Sequence, residues 1–140
     1  MSRVCGESVK LGKLFVKRAP YKTMEIAVTI GLVGNIHGYV VYTMDLSAAI
    51  YLASRILNDP LVTDMDEMSQ SALSELANMI SGASATILFS MDTTIDITTP
   101  TYVRNGTPGN FPFVRPETQV LCMPMSLRDG SIFEVDVVME

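Results

Sequence analysis

The sequence contains no tryptophan, a single histidine (His37) and two cysteines, Cys5 and Cys122. The cysteines are far apart and belong to no C-x-x-C pair, and one histidine cannot complete a Cys/His ligand set, which argues against a zinc site. Ten Lys and Arg stand against fifteen acidic residues, for a formal charge of −5. That balance leaves no basic stripe for a phosphate backbone and excludes nucleic acid as the expected partner. The apolar runs are short and broken by polar residues, and no basic stretch followed by an apolar segment opens the chain. Neither a transmembrane helix nor a signal peptide is therefore expected, and the chain is read as cytoplasmic with no membrane insertion.

What is present is enough apolar material for one core: 48% of 140 residues are hydrophobic. This fits a single domain over residues 1–140 and argues against disorder. Ten methionines supply adaptable side chains for a core or a contact surface.

Residues 9 to 17 read as a strand with a bend at Gly12. Residues 24 to 32 alternate Met24, Ile26, Val28, Ile30 and Leu32 against smaller or polar neighbours, the period-2 pattern of a sheet with one buried face. Gly34-Asn35 supplies a turn, and Ile36 to Met44 return as the antiparallel partner. Gly34 and Gly38 lack the lysine and the following helix of a phosphate loop, so they read as turn residues, and His37 has no nucleophile motif beside it. Asp45 caps a helix whose apolar face is Leu46, Ala49, Ile50, Ala53 and Leu57, stopped by Asn58 and Pro60. Farther on, Ile95 to Val103 form a strand and Asn105 to Pro116 an irregular exposed loop. Thr118 to Leu127 and Ser131 to Met139 make a hairpin turned at Arg128-Asp129-Gly130.

Between these lies the stretch from 63 to 91, which predicts one long amphipathic helix. Thr63 with Asp66 three residues later reads as a capping box, and Asp64, Asp66 and Glu67 put negative charge at the positive end of the helix dipole. At roughly 100° per residue, Met65, Met68, Ala72, Leu76, Met79, Ile80, Ala83 and Ile87 make the expected core stripe. Ser71, Glu75, Asn78 and Gly82 fall together on the face that this stripe leaves free. A glutamate and an amide then stand one turn apart, facing outward.

The block Glu75-Leu76-Ala77-Asn78-Met79-Ile80-Ser81-Gly82, followed by Ala83, resembles the signature helix of CheX-type phosphatases in the CheC/CheX/FliY family. The order of strands and helices extends the resemblance over residues 10 to 139. It implies an α+β domain, a mainly antiparallel sheet of about six strands with two main helices packed on one face. It also implies a homodimer and an enzyme that dephosphorylates the aspartyl phosphate of a CheY-like receiver. Two departures from the family pattern stand out. Met1 to Ser8 are too short for the helix that usually precedes the first strand, and no second acidic residue has an asparagine three positions on, so one site is expected where CheC-type proteins offer two.

Under this resemblance Glu75 and Asn78 are the catalytic candidates, and Ser71 and Gly82 on the same face are partner contacts. An amide takes up no proton near neutral pH but can donate to and accept from one water, so Asn78 would place that water in line with phosphorus. The resemblance implies that Glu75 pairs with a receiver lysine. A carboxylate facing a phosphoryl group needs such a cation. No cofactor is expected on this chain, and the magnesium ion belongs to the receiver. The alternative function is a non-catalytic module that uses the same helix to bind a receiver or the flagellar switch. The plainer reading of the residues themselves is a solvated helix face with Gly82 as a C-cap.

Overall fold

The computed structural model describes residues 3–4, 7–8, 10–18, 24–104 and 119–139; the loop expected at Asn105–Pro116 lies outside them. The elements run β1 (Arg3–Val4), β2 (Glu7–Ser8), β3 (Lys10–Leu11), β4 (Phe15–Arg18), β5 (Ile26–Gly34), β6 (Gly38–Met44), α1 (Leu46–Leu57), α2 (Glu67–Ser90), β7 (Ile95–Ile97), β8 (Thr101–Arg104), β9 (Gln119–Ser126) and β10 (Ile132–Met139). Among the described residues, β1 and β2 pair only with each other. The helix that the family resemblance implies ahead of the first strand has no counterpart among the described residues.

The main sheet is antiparallel and curled, with β10 and β6 at its centre, β9 outside β10 and β5 outside β6. Two short segments share each edge: β3 and β4 both run along β9, and β7 and β8 both run along β5. Six strand positions result. The single strand expected over 9 to 17 is thus interrupted between β3 and β4, where Gly12 N–H turns to the Pro124 carbonyl at 2.8 Å. The strand expected over 95 to 103 is broken at residues 98–100, because Pro100 has no N–H to give to a ladder. Thr98 bridges the gap: its hydroxyl accepts from Gly31 N–H at 2.8 Å and its own N–H donates to the Gly31 carbonyl at 3.0 Å.

The hairpin of β5 and β6 pairs Ile26 with Met44 and Leu32 with Gly38. Gly34 ends one strand and Gly38 starts the other, as turn residues should, while His37 is exposed in the connection and not in a strand. Gly38 is required: its φ is +154°, and a Cβ there would overlap the Val138 carbonyl oxygen of the neighbouring strand.

Helix α1 is built as its sequence predicts. The Asp45 carboxylate accepts from Ala48 N–H at 2.8 Å, and Asn58 closes the helix in the left-handed region at φ 53°. Both helices cover one face of the sheet. Ile26, Val28, Ile30, Tyr42, Met44, Phe133 and Val135 meet Ala48, Ala49, Leu52 and Ala53 from α1 and Leu73 and Ala77 from α2 in one core. The other face buries Ala27, Val41, Val120, Cys122 and Val138. The acids of β10 that alternate with its apolar residues, Glu134 and Asp136, are buried as well.

The helices leave part of their face of the sheet open. A cavity of about 330 Å³ lies beside Ile80, Ser81 and Ser84 of α2, walled on the sheet side chiefly by Val40, Met123 and Val137.

Candidate functional site

Helix α2 begins at Glu67 and not near Thr63. The Asp66 carboxylate accepts from Ser69 N–H at 2.8 Å and the Asp66 carbonyl accepts from Gln70 N–H at 2.9 Å, so Asp66 is the N-cap. The box expected between Thr63 and Asp66 does not form, because the segment between them is used differently. Asp64 accepts from Met65 N–H at 2.8 Å and from the Arg104 guanidinium at 3.2 Å, which also reaches Glu25 at 3.6 Å. Arg104 thereby ties the entry of α2 to β8 and to the start of β5. Hydrogen bonds from Met65 and then Arg104 hold the Asp64 carboxyl below its ordinary pKa, and the Ser69 N–H bond does the same for Asp66.

The core stripe of α2 is rotated from the expected one. Met68, Met79 and Ile87 are 67%, 61% and 61% exposed, whereas Ser69, Ala72, Leu73, Ala77 and Ser81 are buried, with Leu76 and Ile80 half-buried. Small residues give the reason: Ala72, Ala77 and the two serines let the helix lie close on its neighbours, where Met68 and Met79 would hold it off. Leu73, Leu76, Ala77 and Ile80 sit over Val28, Tyr42, Met44 and Leu52.

The outward face survives this rotation. Ser71 and Glu75 are exposed and Asn78 and Gly82 half-buried, all within one narrow arc of the helix surface. The spacing from Glu75 to Asn78 puts their Cβ atoms about 5–6 Å apart. Among the described residues nothing hydrogen-bonds or ion-pairs the Glu75 carboxylate or the Asn78 carboxamide. Gly82 is no C-cap, since the helix runs on to Ser90. A Cβ at Gly82 would find its nearest neighbour, Ile97 Cδ1, at 4.0 Å, so nothing in the fold itself demands glycine there. The sequence pattern assigns Met68 and Met79 to the core and so keeps them out of the candidate surface. Both stand in solvent beside Glu75 on the helix surface.

Such a surface can present an acid, an amide and two soft apolar side chains to a second protein. Away from it, Cys122, Glu134 and Asp136 bring their ligand-capable atoms within 4.8 Å of one another on the face of the sheet opposite α2. The Cys122 thiol donates to the Val120 carbonyl at 3.6 Å. No helix among the described residues is long and apolar enough to cross a membrane.

Two helices on one face of a curled antiparallel sheet are the fold of CheC/CheX-type domains. Residues 26–110 match the family of chemotaxis phosphatase CheX, and the chain belongs to that family. A stretch of 78 residues is 32% identical to the CheY-P phosphatase CheX of Thermotoga maritima; it covers 56% of this chain and 50% of that protein, so the match spans half the length of this relative. Among solved structures, CheX of Desulfovibrio desulfuricans has the same fold, with a TM-score of 0.81 at 22% identity over 98% of this chain and 89% of its own. The CheX–CheY–BeF3–Mg complex of Borrelia burgdorferi aligns with a TM-score of 0.77 at 27% identity, over 94% of this chain and 84% of that one.

Proposed function

We propose that this chain hydrolyses the phosphoryl-aspartate of a CheY-like receiver in chemotaxis signalling, by inserting the face of α2 that carries Glu75 and Asn78 into the receiver site. The observation that carries this reading is that Glu75 and Asn78 stand one turn apart on an outward helix surface where no described residue satisfies either side chain. Membership in the CheX family and the likeness to a CheY-P phosphatase support it.

In this mechanism Asn78 holds the attacking water through one accepted and one donated hydrogen bond, on the line of the breaking P–O bond. Glu75 pairs with a receiver lysine and so fixes the register of α2, and the receiver's own magnesium ion neutralises the phosphoryl oxygens. This chain contributes no metal. Met68 and Met79 adapt to the receiver surface around the site, and Ser71 and Gly82 admit its backbone. The protein works in the cytoplasm, where its substrate is made.

The test is a receiver labelled with radioactive phosphate, mixed with substoichiometric amounts of this protein. Release faster than the receiver's own rate supports the enzyme. Release at that rate, with binding intact, leaves a receiver-binding or flagellar-switch module and refutes catalysis. We further propose a homodimer; light scattering should give twice the 15.3 kDa chain mass, and a monomer mass at micromolar concentration refutes it.

A further inference from the structure

We propose that Tyr42 and Ser81 are a positioning pair that sets the rotation of α2 about its own axis and thereby the aim of Asn78, an inference that rests on the catalytic reading above. The Tyr42 hydroxyl and the Ser81 Oγ lie 2.9 Å apart, joining the central strand β6 to α2 across the core. Both side chains are buried. The other hydroxyls on the second half of α2 turn back on their own helix: Ser84 to the Ile80 carbonyl, Thr86 to Gly82 and Ser90 to Ile87. Among the described residues, the bond to Tyr42 is thus the side-chain hydrogen bond that links the body of α2 to the sheet.

Its location decides its effect. Up to Ala77 the helix is held by buried side chains, but past Ser81 its described residues are exposed or only half-buried, and the cavity of about 330 Å³ opens beside Ile80, Ser81 and Ser84. Apolar packing has no direction and is thinning here, so it resists a small axial rotation weakly, whereas a hydrogen bond defines both a distance and an angle. Ser81 is three residues beyond Asn78, less than one turn away. A rotation of about 10° moves an atom roughly 6 Å from the helix axis by about 1 Å, and a misplacement of that size can cost on the order of a hundredfold in rate. Burial raises the Tyr42 pKa, with the Ser81 bond pulling it partly back, so the phenol keeps its proton and either hydroxyl can donate to the other.

Four variants test the pair: Tyr42→Phe, Ser81→Ala, the double substitution, and Ser81→Thr, whose extra methyl has the cavity to enter. Each hydroxyl deletion should lower kcat for receiver dephosphorylation about tenfold, with KM within about twofold. The double variant should be no slower than the slower single one, because removing both partners leaves no orphan hydroxyl, and Ser81→Thr should keep wild-type turnover. Multiplying losses, a KM effect without a kcat effect, or a kcat loss that tracks a fall in melting temperature would each overturn the pair as a positioning device.

A second readout does not depend on turnover. In nitrogen-15 spectra of the free protein, the Asn78 carboxamide should give one sharp pair of signals in wild type and a broadened or doubled pair in Tyr42→Phe. Signals unchanged by Tyr42→Phe overturn the inference even if the chain proves to be only a binding module. Failure of wild-type turnover, by contrast, refutes the catalytic reading and leaves the amide signals to decide the pair.

Discussion

Substituting Asn78 by aspartate changes one group of nearly the same shape and separates two kinds of chemistry. The side chain is half-buried on α2, one turn from the exposed carboxylate of Glu75. A second carboxylate one turn from the first costs the helix surface only about 0.2–0.5 kcal/mol, so this repulsion is a minor part of the effect. The receiver's phosphoryl oxygens repel it further, and the donor N–H that holds the water is lost. Asn78→Asp should therefore be as inactive as Asn78→Ala, while receiver binding by the alanine variant stays within a few fold. The assay is release of labelled phosphate at saturating receiver, with affinity measured separately against a beryllofluoride-loaded receiver. An aspartate variant that turned over like wild type would show that a carboxylate suffices, restore general-base chemistry and remove the water-positioning role from Asn78.

Glu75→Ala should weaken receiver binding as well as turnover, by about 2–5 kcal/mol if the lysine pair is desolvated; titration calorimetry showing unchanged affinity would remove its anchoring role. Met79→Gln should leave the melting temperature in place, since the side chain stands in water, and lower receiver affinity by about 1–2 kcal/mol for the apolar area no longer buried; equal affinity would place the contact elsewhere on the helix. Because the folded pKa of Asp66 lies below its ordinary 3.8, its cap contributes fully above that value and is lost as the pH falls through the folded pKa. An asparagine at this position caps without titrating, so melting curves of Asp66→Asn should show a smaller drop between pH 5 and pH 3 than wild type, and parallel drops would assign the acid sensitivity to other carboxylates.

The hairpin of β5 and β6, the limits of α1 and the outward face of α2 were legible because each rests on local chemistry: alternation with a glycine turn, an aspartate cap with an αL asparagine, and a fixed helical spacing. The cap of α2 was misread because Thr63 and Asp66 are both cap-forming residues, and the segment between them is drawn away from the helix by the bond from Arg104, forty residues on, to Asp64. The core stripe was misread for a related reason. Hydrophobicity alone ranks Met68 and Met79 above Ser69 and Ser81, but close packing against a neighbouring helix and a sheet selects for size, and the serine at 81 finds Tyr42. The burial of Glu134 and Asp136 had no signal in a strand that alternates like an ordinary half-exposed one.

The place of β10 shapes how the chain is made. It is the last described strand in sequence and pairs on both sides, with β6 and with β9, so that Phe133 meets Met44 from far along the chain. Everything through α2 is synthesised before it. At about 5–20 residues per second, the nascent half-sheet stands with the inner edge of β6 open for some seconds before its partner emerges. Closing a loop that long is slow in comparison with forming a hairpin, and the open edge is a template for another copy of the same chain. A premature stop just before Ile132 would remove the middle of the sheet, not its margin, and leave two fragments of β-structure with nothing to join them.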